Sequence, residues 1–243
     1  MFDSYHSIMS KQAYTCQSFL KGMIMFTKLP KWVEYGAFTL SLIAGFVNAI
    51  GLLGFEHQAI SHLSGSVTQI GVSVIESPMT SVFLVSLVGS FVLGSTISGM
   101  LISGESLKLG RHYDLVLLLE GILLVISTGL LYEHIGWGLC LASMACGLQN
   151  ALVTTYSGAV IRTTHLTGIF TDLGLMLSSK IQGNEVNKRK FVMFSVIIGG
   201  FLSGGIFGYL AFQRLNVSAL AIPGAFCLIL SCVYRIYRQK NKN

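Results

Sequence analysis

The chain has 243 residues, of which 52% are hydrophobic and only 11% are charged. Because a soluble globular domain carries about a quarter charged residues, this composition excludes an ordinary soluble domain and indicates a polytopic membrane protein. The net charge of +6 does not indicate nucleic-acid binding, since the basic residues cluster at the ends of apolar runs and form no patch interleaved with aromatic residues.

The chain begins with residues 1–31, which lack a signal-peptide layout and are predicted to be a cytoplasmic segment. Within them, residues 18–26 could lie flat on the membrane surface or be unstructured. Six apolar runs follow, each close to or above the ~20 residues that a helix needs to cross a bilayer. They are 35–54, 79–103, 113–132, 135–155, 191–212 and 218–236, and 237–243 form a predicted cytoplasmic tail.

An internal repeat connects these runs. GFVNA at 45–49 matches GLQNA at 147–151, HLSG at 62–65 matches HLTG at 165–168, and GSFVLGS at 89–95 matches GGFLSGG at 199–205. The blocks keep the same order, at offsets of 102, 103 and 110 residues. The membrane region therefore divides into a first repeat, 32–132, and a second repeat, 133–236.

Each repeat carries a short polar segment after its first run, at 62–76 and at 165–179. A helix of this length is about 22 Å long, which is less than the ~30 Å thickness of the hydrocarbon layer. We predict two re-entrant half-helices, each entering and leaving the membrane on one side. Such backbone is tolerated only where it is buried in protein or lines an aqueous cavity.

The distribution of charge favours six spans. With a cytoplasmic N-terminus, fourteen of the sixteen basic residues lie on the cytoplasmic side, whereas an eight-span topology leaves twelve there. Three spans per repeat is an odd number, so the two repeats would face opposite ways, as in many transporters. The predicted fold is all-α: six transmembrane helices plus two re-entrant half-helices in an inverted 3+3 internal repeat.

Each predicted half-helix has an apolar stripe that we expect to pack against neighbouring helices, formed by Leu63, Val67, Ile70 and Val74 and by Leu166, Phe170, Leu173 and Leu177. The two helix N-termini would converge near the midplane and favour an anion or a polar solute over a bare cation. The predicted pathway residues are Asn48, His62, Ser64, Ser66, Gln69, Glu120, Asn150, Arg162, Thr164, His165, Thr167 and Asp172.

The uncharged candidates also have structural interpretations. The Ser and Thr hydroxyls could cap helices, and the neighbouring glycines could serve only close packing. His62 and His165 could line a path or bond to neighbouring backbone. Asn48 and Asn150, late in the first run of each repeat, could bond across helices or orient a solute.

The charged candidates leave similar alternatives open. Glu120 and Asp172 lie inside predicted membrane segments, where a carboxylate marks a pathway, a proton relay or a partnered bond. Arg162 could be the charge of the pore, or the partner of either acid. No cofactor or metal site is predicted, because metal-ligand spacing is missing among Cys16, Cys140, Cys146, Cys227 and Cys232.

GLQNA followed by RTTHLTGIFTDLG resembles the YoaK-type family of bacterial inner-membrane proteins of unknown function, and the likeness spans nearly all of 35–236. The first repeat departs from the family pattern. The family usually has an aspartate where Asn48 stands, and Thr-Gly-Asn in place of Ser64-Gly65-Ser66. Any ion coupling through that aspartate is therefore in doubt here, and the resemblance implies no particular substrate.

The sequence predicts a transporter or channel of the bacterial inner membrane for a small polar or anionic solute, with proton coupling as an option and both termini in the cytoplasm. A non-transporting membrane scaffold or regulator is the alternative. An enzyme is not predicted, since no serine–histidine pair or metal-binding His/Glu motif stands out. The expected partners are the lipid bilayer and the solute, without nucleic acid; a homo-oligomer is left open.

Overall fold

The computed structural model describes residues 32–54, 60–102, 112–156 and 163–240. Every regular element in these ranges is helical, which confirms the all-α prediction for them. The helices are α1 (Trp32–Leu53), α2 (Leu63–Glu76), α3 (Pro78–Leu101), α4 (Tyr113–Tyr132), α5 (Gly138–Tyr156), α6 (Leu166–Ile181), α7 (Lys188–Leu215) and α8 (Ala221–Lys240), with a 3₁₀ helix (Asn216–Leu220) between α7 and α8. The predicted segment 1–31, Arg162 and residues 241–243 lie outside the described residues.

Five helical segments of the described chain are long and apolar enough to cross a membrane. They are Trp32–Leu53, Pro78–Leu101, Tyr113–Tyr132, Gly138–Thr155 and Lys188–Lys240, the last of which contains both α7 and α8. Their outer surfaces are apolar, and Val85, Ile126 and Ile206 are each about half exposed. The protein is therefore an integral membrane protein. Helices α2 and α6 have only 14 and 16 residues, about 21 and 24 Å.

Helices α1 and α7 pack closely and run in the same direction. A Cβ added to Gly200, Gly204 or Gly208 of α7 would collide with the backbone carbonyl of Phe38, Leu42 or Phe46 of α1, respectively. Residue numbers rise together along the two helices, so their axes are parallel. Backbones can approach this closely because glycine has no side chain.

Helices α3 and α5 form a second pair of the same kind. The Ser143 hydroxyl donates to the Leu87 carbonyl over 2.9 Å, and a Cβ on Gly147 would collide with the Phe91 carbonyl one turn further on. In α1 and α7 the equivalent contact joins Gly45 to the Phe201 carbonyl. These residues are related by the offsets of 102 and 110 found in the sequence.

The direction of each helix follows from which termini lie together. One cavity is lined by the first residues of α1 and α4 and the last residues of α5 and α8, including Trp32, Tyr113, Val153 and Tyr237. We call this the Trp32 end of the bundle. Helix α1 finishes at the opposite, Val217 end, where a Cβ on Gly54 would lie 3.8 Å from Cγ1 of Val217. Helices α1 and α5 therefore run in opposite directions.

The buried faces of α2 and α6 differ from the predicted stripes. In α2 the buried residues are Ser66 and Ser73, and the Ser73 hydroxyl bonds to that of Ser81 over 2.8 Å. In α6, Ile169 packs with Leu166, Leu173 and Met176 against α1 and α7. The prediction was wrong for Val67, Val74, Phe170 and Leu177, which are 56–60% exposed. Lipid tails are as apolar as leucine, so hydrophobicity does not separate an inner face from an outer one.

Candidate binding site at the starts of α2 and α6

The first half of the site forms where α1 meets the start of α2. Asn48 is buried, and its Oδ1 accepts hydrogen bonds from the backbone N–H of Ser61 at 3.2 Å and from its hydroxyl at 3.1 Å. The same hydroxyl lies 3.0 Å from Nδ1 of His62. Because the hydroxyl proton goes to Asn48, Nδ1 of His62 is the donor in that second bond. The His62 ring then keeps Nε2 as an acceptor.

The second half of the site has the same construction on α5 and α6. The Thr164 hydroxyl donates to Oδ1 of Asn150 over 2.9 Å. Asn150 and Thr164 are the repeat equivalents of Asn48 and Ser61, at offsets of 102 and 103. The His165 ring lies over Gly168, where any Cβ would collide with it. Helices α2 and α6 are thus each held at the start by an asparagine of the preceding helix.

The two helix starts lie near one another. The His62 ring stands edge-on to Phe201 of α7, with centroids 5.2 Å apart. Ile169, four residues after His165, packs in one cluster with Ile197, one turn before Phe201 on the same helix. His62 and His165 are also the N-cap residues of α2 and α6, and neither side chain caps its helix. First-turn N–H groups of both helices are therefore free of an N-cap acceptor and available to a ligand.

Three buried polar side chains close in sequence to these helix starts or to Asn150 have an atom without a hydrogen-bond partner among the described residues: Ser66, four residues after His62; Thr163, two residues before His165; and Gln149, whose neighbour in the chain is Asn150. Each is at most 2% exposed. Their repeat equivalents are Ile169, Val47 and Ile60, which are buried and apolar. Packing at these positions therefore does not need a polar group. An unpaired buried polar group costs about 1–3 kcal/mol, so a bound polar molecule is the natural partner.

Sequence reasoning selected Ser66 but missed Gln149 and Thr163. The signal that would have found them is a position-by-position comparison of the two repeats. A polar residue in one repeat whose equivalent in the other repeat is apolar marks a position where packing alone does not explain the residue type. Glu120 against Pro223 is a further case.

The remaining candidates on the half-helices lie on their outer surfaces. Ser64, Gln69 and Thr167 are exposed. The carbonyls of Ser64 and Thr167 accept bonds from the hydroxyls of Thr68 and Thr171, one turn later and at 3.0 Å in both cases. These residues do not converge on the buried Asn48 and Asn150 bonds.

The two acidic candidates lie away from the helix starts. Asp172 forms an ion pair with Lys190, with Oδ2 and Nζ 2.9 Å apart, about 10 Å along α6 from His165. Glu120 is buried among α4, α5 and α8, beside Cys146 and Cys227. Its Oε2 has no hydrogen-bond partner among the described residues. The site thus gathers Asn48, His62, Ser66, Asn150, Thr164 and His165, without Asp172 and Glu120.

The family described as "Protein of unknown function (DUF1275)" matches residues 36–233, most of the chain. The chain belongs to the DUF1275 family. The predicted membership of an uncharacterised family is therefore confirmed, and the match includes both halves of the site in this DUF1275 protein. No curated protein and no solved structure matches the chain. Membership of DUF1275 names no substrate, so function has to be argued from the site.

Proposed function

We propose that this protein is a membrane channel or carrier for a small polar or anionic solute, which passes the starts of α2 and α6. The observation that carries the proposal is that two uncapped helix starts lie next to the buried hydroxyls of Ser66 and Thr163, which have no hydrogen-bond partner among the described residues. Hydroxyl, amide and backbone N–H groups are the donors and acceptors that recognise such a solute.

The proposed architecture has six spans, two re-entrant half-helices and an inverted repeat. It is supported by the matching contacts of α1 with α7 and of α3 with α5, and by the opposite directions of α1 and α5. Helix α7 is separated from α8 at Asn216, whose φ of 52° breaks the helix. Helix α8 then returns to the Trp32 end, where the Ser231 hydroxyl donates to the Asp114 carbonyl over 2.6 Å.

The proposed orientation places the Trp32 end in the cytoplasm, and the membrane is a bacterial inner membrane. Support comes from the basic residues at the termini of α7 and α8. Lys188, Lys190, Arg235 and Lys240 belong to the Trp32 end, whereas Arg214 belongs to the Val217 end. Cytoplasmic segments carry the excess of Lys and Arg in inner-membrane proteins.

The preference for an anion or a neutral solute rests on the charges at the site. Helix N-termini carry partial positive charge and attract anions. Of the two acidic candidates, Asp172 is paired with Lys190, and Glu120 is buried among α4, α5 and α8, away from the helix starts. A cation at the helix starts would therefore lack a counter-charge from either of them.

Flux into vesicles tests the proposal. Vesicles holding the wild-type protein are placed in gradients of sodium formate, sodium nitrate, urea or glycerol, and light scattering follows the volume change. We expect faster entry than in empty vesicles for at least one of these solutes, and loss of that gain in His165→Ala. No gain for any solute, or an equal gain for all four that persists in His165→Ala, would contradict the proposal and favour a non-transporting scaffold.

A further inference from the structure

A cavity of about 560 Å³ lies between α1, α4, α5 and α8 at the Trp32 end. Its wall is almost wholly aliphatic or aromatic, and Thr39 is the exception apart from the polar tips of Trp and Tyr. None of the candidate site residues lines it. The volume lies in the range of small-molecule sites, and an apolar cavity of this kind disfavours water and accepts apolar molecules.

The cavity occupies a gap where the internal repeat would place a closed helix contact. A Cβ on Gly138, at the start of α5, would lie 2.9 Å from Cγ of Leu131 and 3.0 Å from the Ser127 carbonyl, so α5 and α4 touch there. The equivalent of Gly138 is Gly36, at the offset of 102. A Cβ on Gly36 would meet nothing within 4 Å. Among the described residues, α8 therefore does not fill the space beside Gly36 that α4 fills beside Gly138.

The residues around the opening of this cavity match the apolar acyl chains and the polar headgroup of a lipid. Trp32, Tyr35 and Tyr237 line the cavity and are 36%, 74% and 52% exposed, and such aromatic residues settle at the membrane–water interface. Lys240 follows Tyr237 by three residues, so it lies one helical turn beyond it on the same face. The apolar cavity thus opens at a rim of aromatic residues, and the exposed ammonium group of Lys240 lies beyond that rim.

A second cation is fixed at the same end. Nη1 of Arg238 lies 2.9 Å from Oδ1 of the buried Asp114 and 3.1 Å from Nδ1 of His112. The ion pair between Arg238 and Asp114 ties the end of α8 to the start of α4. It keeps the last turn of α8 in position while the face toward α1 stays open.

We infer that this cavity binds one acyl chain of an anionic phospholipid from the surrounding bilayer, with the headgroup at Lys240. Basic pockets between membrane helices on the cytoplasmic side recognise anionic headgroups in this way. The inference goes beyond the proposed transport of a solute and does not depend on it, because the cavity shares no residue with the site at α2 and α6.

Native mass spectrometry of the full chain tests the inference, with phosphatidylglycerol and phosphatidylcholine as probes. Gly36→Leu adds a side chain at the cavity wall, where a Cβ would meet nothing within 4 Å, and Gly129→Leu is the matched control on an exposed helical position with equally open space. We expect one retained phosphatidylglycerol per chain in the wild type and in Gly129→Leu, and at least a tenfold lower retention in Gly36→Leu. Lys240→Gln should reduce the preference for phosphatidylglycerol over phosphatidylcholine.

Three results would overturn the inference: no retained lipid in the wild type, equal retention of the two lipids by the wild type, or undiminished phosphatidylglycerol in Gly36→Leu. Thermal unfolding of each variant serves as the folding check. If Gly36→Leu unfolds below Gly129→Leu, a second filling variant, Leu230→Phe, replaces it, and retention equal to the wild type in that variant counts against the inference.

Discussion

Gly204→Val and Gly94→Val should each strongly destabilise the native helix bundle. A Cβ at Gly204 would collide with the Leu42 carbonyl, and one at Gly94 with the Met144 carbonyl. Because both obstacles are backbone, no side-chain rotation relieves them and the paired helices must separate. We expect a loss of about 3 kcal/mol or more, a large share of the 5–15 kcal/mol that stabilises a typical protein. Yield of monodisperse protein and the midpoint of thermal unfolding measure it.

Gly199→Val and Gly89→Val provide the matched controls. Both glycines lie in the same helices, α7 and α3, and a Cβ on either would meet nothing within 4 Å. Valine has the same intrinsic helix propensity at all four positions, so only the helix contact differs. Equal yields and midpoints for Gly204→Val and Gly199→Val would show that α1 and α7 do not pack as described.

Asn48→Leu should abolish solute flux. The substitution removes the acceptor for two hydrogen bonds from the buried Ser61, and each unpaired buried group costs about 1–3 kcal/mol. The Ser61 hydroxyl stays next to the His62 ring but loses the acceptor that fixes its proton, so the ring and the start of α2 are no longer held in one arrangement. We expect at least a tenfold fall in the rate of whichever of formate, nitrate, urea or glycerol the wild type passes, measured by the same light-scattering assay.

The conservative change Asn48→Asp separates this role from a general loss of folding. A carboxylate keeps an acceptor oxygen in the same place, so this variant should fold and retain measurable flux. Thr96→Val is the control, because the Thr96 hydroxyl bonds only to the Val92 carbonyl of its own helix. Wild-type flux in Asn48→Leu would exclude the proposed role of the asparagine.

The helices themselves could be predicted from the sequence with small errors. The run 113–132 coincides with α4, and the segment 62–76 differs from α2 by one residue. Both follow from hydrophobicity and length, which are strong signals where lipid forbids unpaired backbone. At the C-terminus the predicted tail begins at 237, whereas α8 continues to Lys240, because polar residues continue a helix once it has left the membrane.

The orientation of the half-helices could not be predicted in the same way. Ser66 is buried while Val67 beside it is exposed, the reverse of the rule for soluble proteins. In a membrane the outer face is apolar too, and small hydroxyl residues allow helices to approach. Hydrophobic periodicity therefore identifies that a helix exists but does not tell which side of it faces the protein.

The site was predicted in part because the repeat marks equivalent residues. Asn48 and Asn150 stand out in the sequence at one offset, and both prove to hold the residue before a motif histidine. The partner of Asp172 could not be predicted, because Lys190 lies on another helix and pairing across helices depends on the packing. The apolar cavity could not be predicted from the sequence either, because it forms where the described residues of α1 and α8 make no close contact at Gly36.

The most direct test of the inverted arrangement is the sidedness of Ser77 and Asn184, which follow the ends of α2 and α6. In a background whose five native cysteines are replaced, Ser77→Cys and Asn184→Cys are treated in intact cells with a membrane-impermeant maleimide. If α2 and α6 are re-entrant, the cysteine at 77 reacts from outside and the one at 184 reacts only after the cells are opened. Reaction of both from the same side would mean that each helix crosses the bilayer, and the proposed meeting of the two helix starts would be wrong.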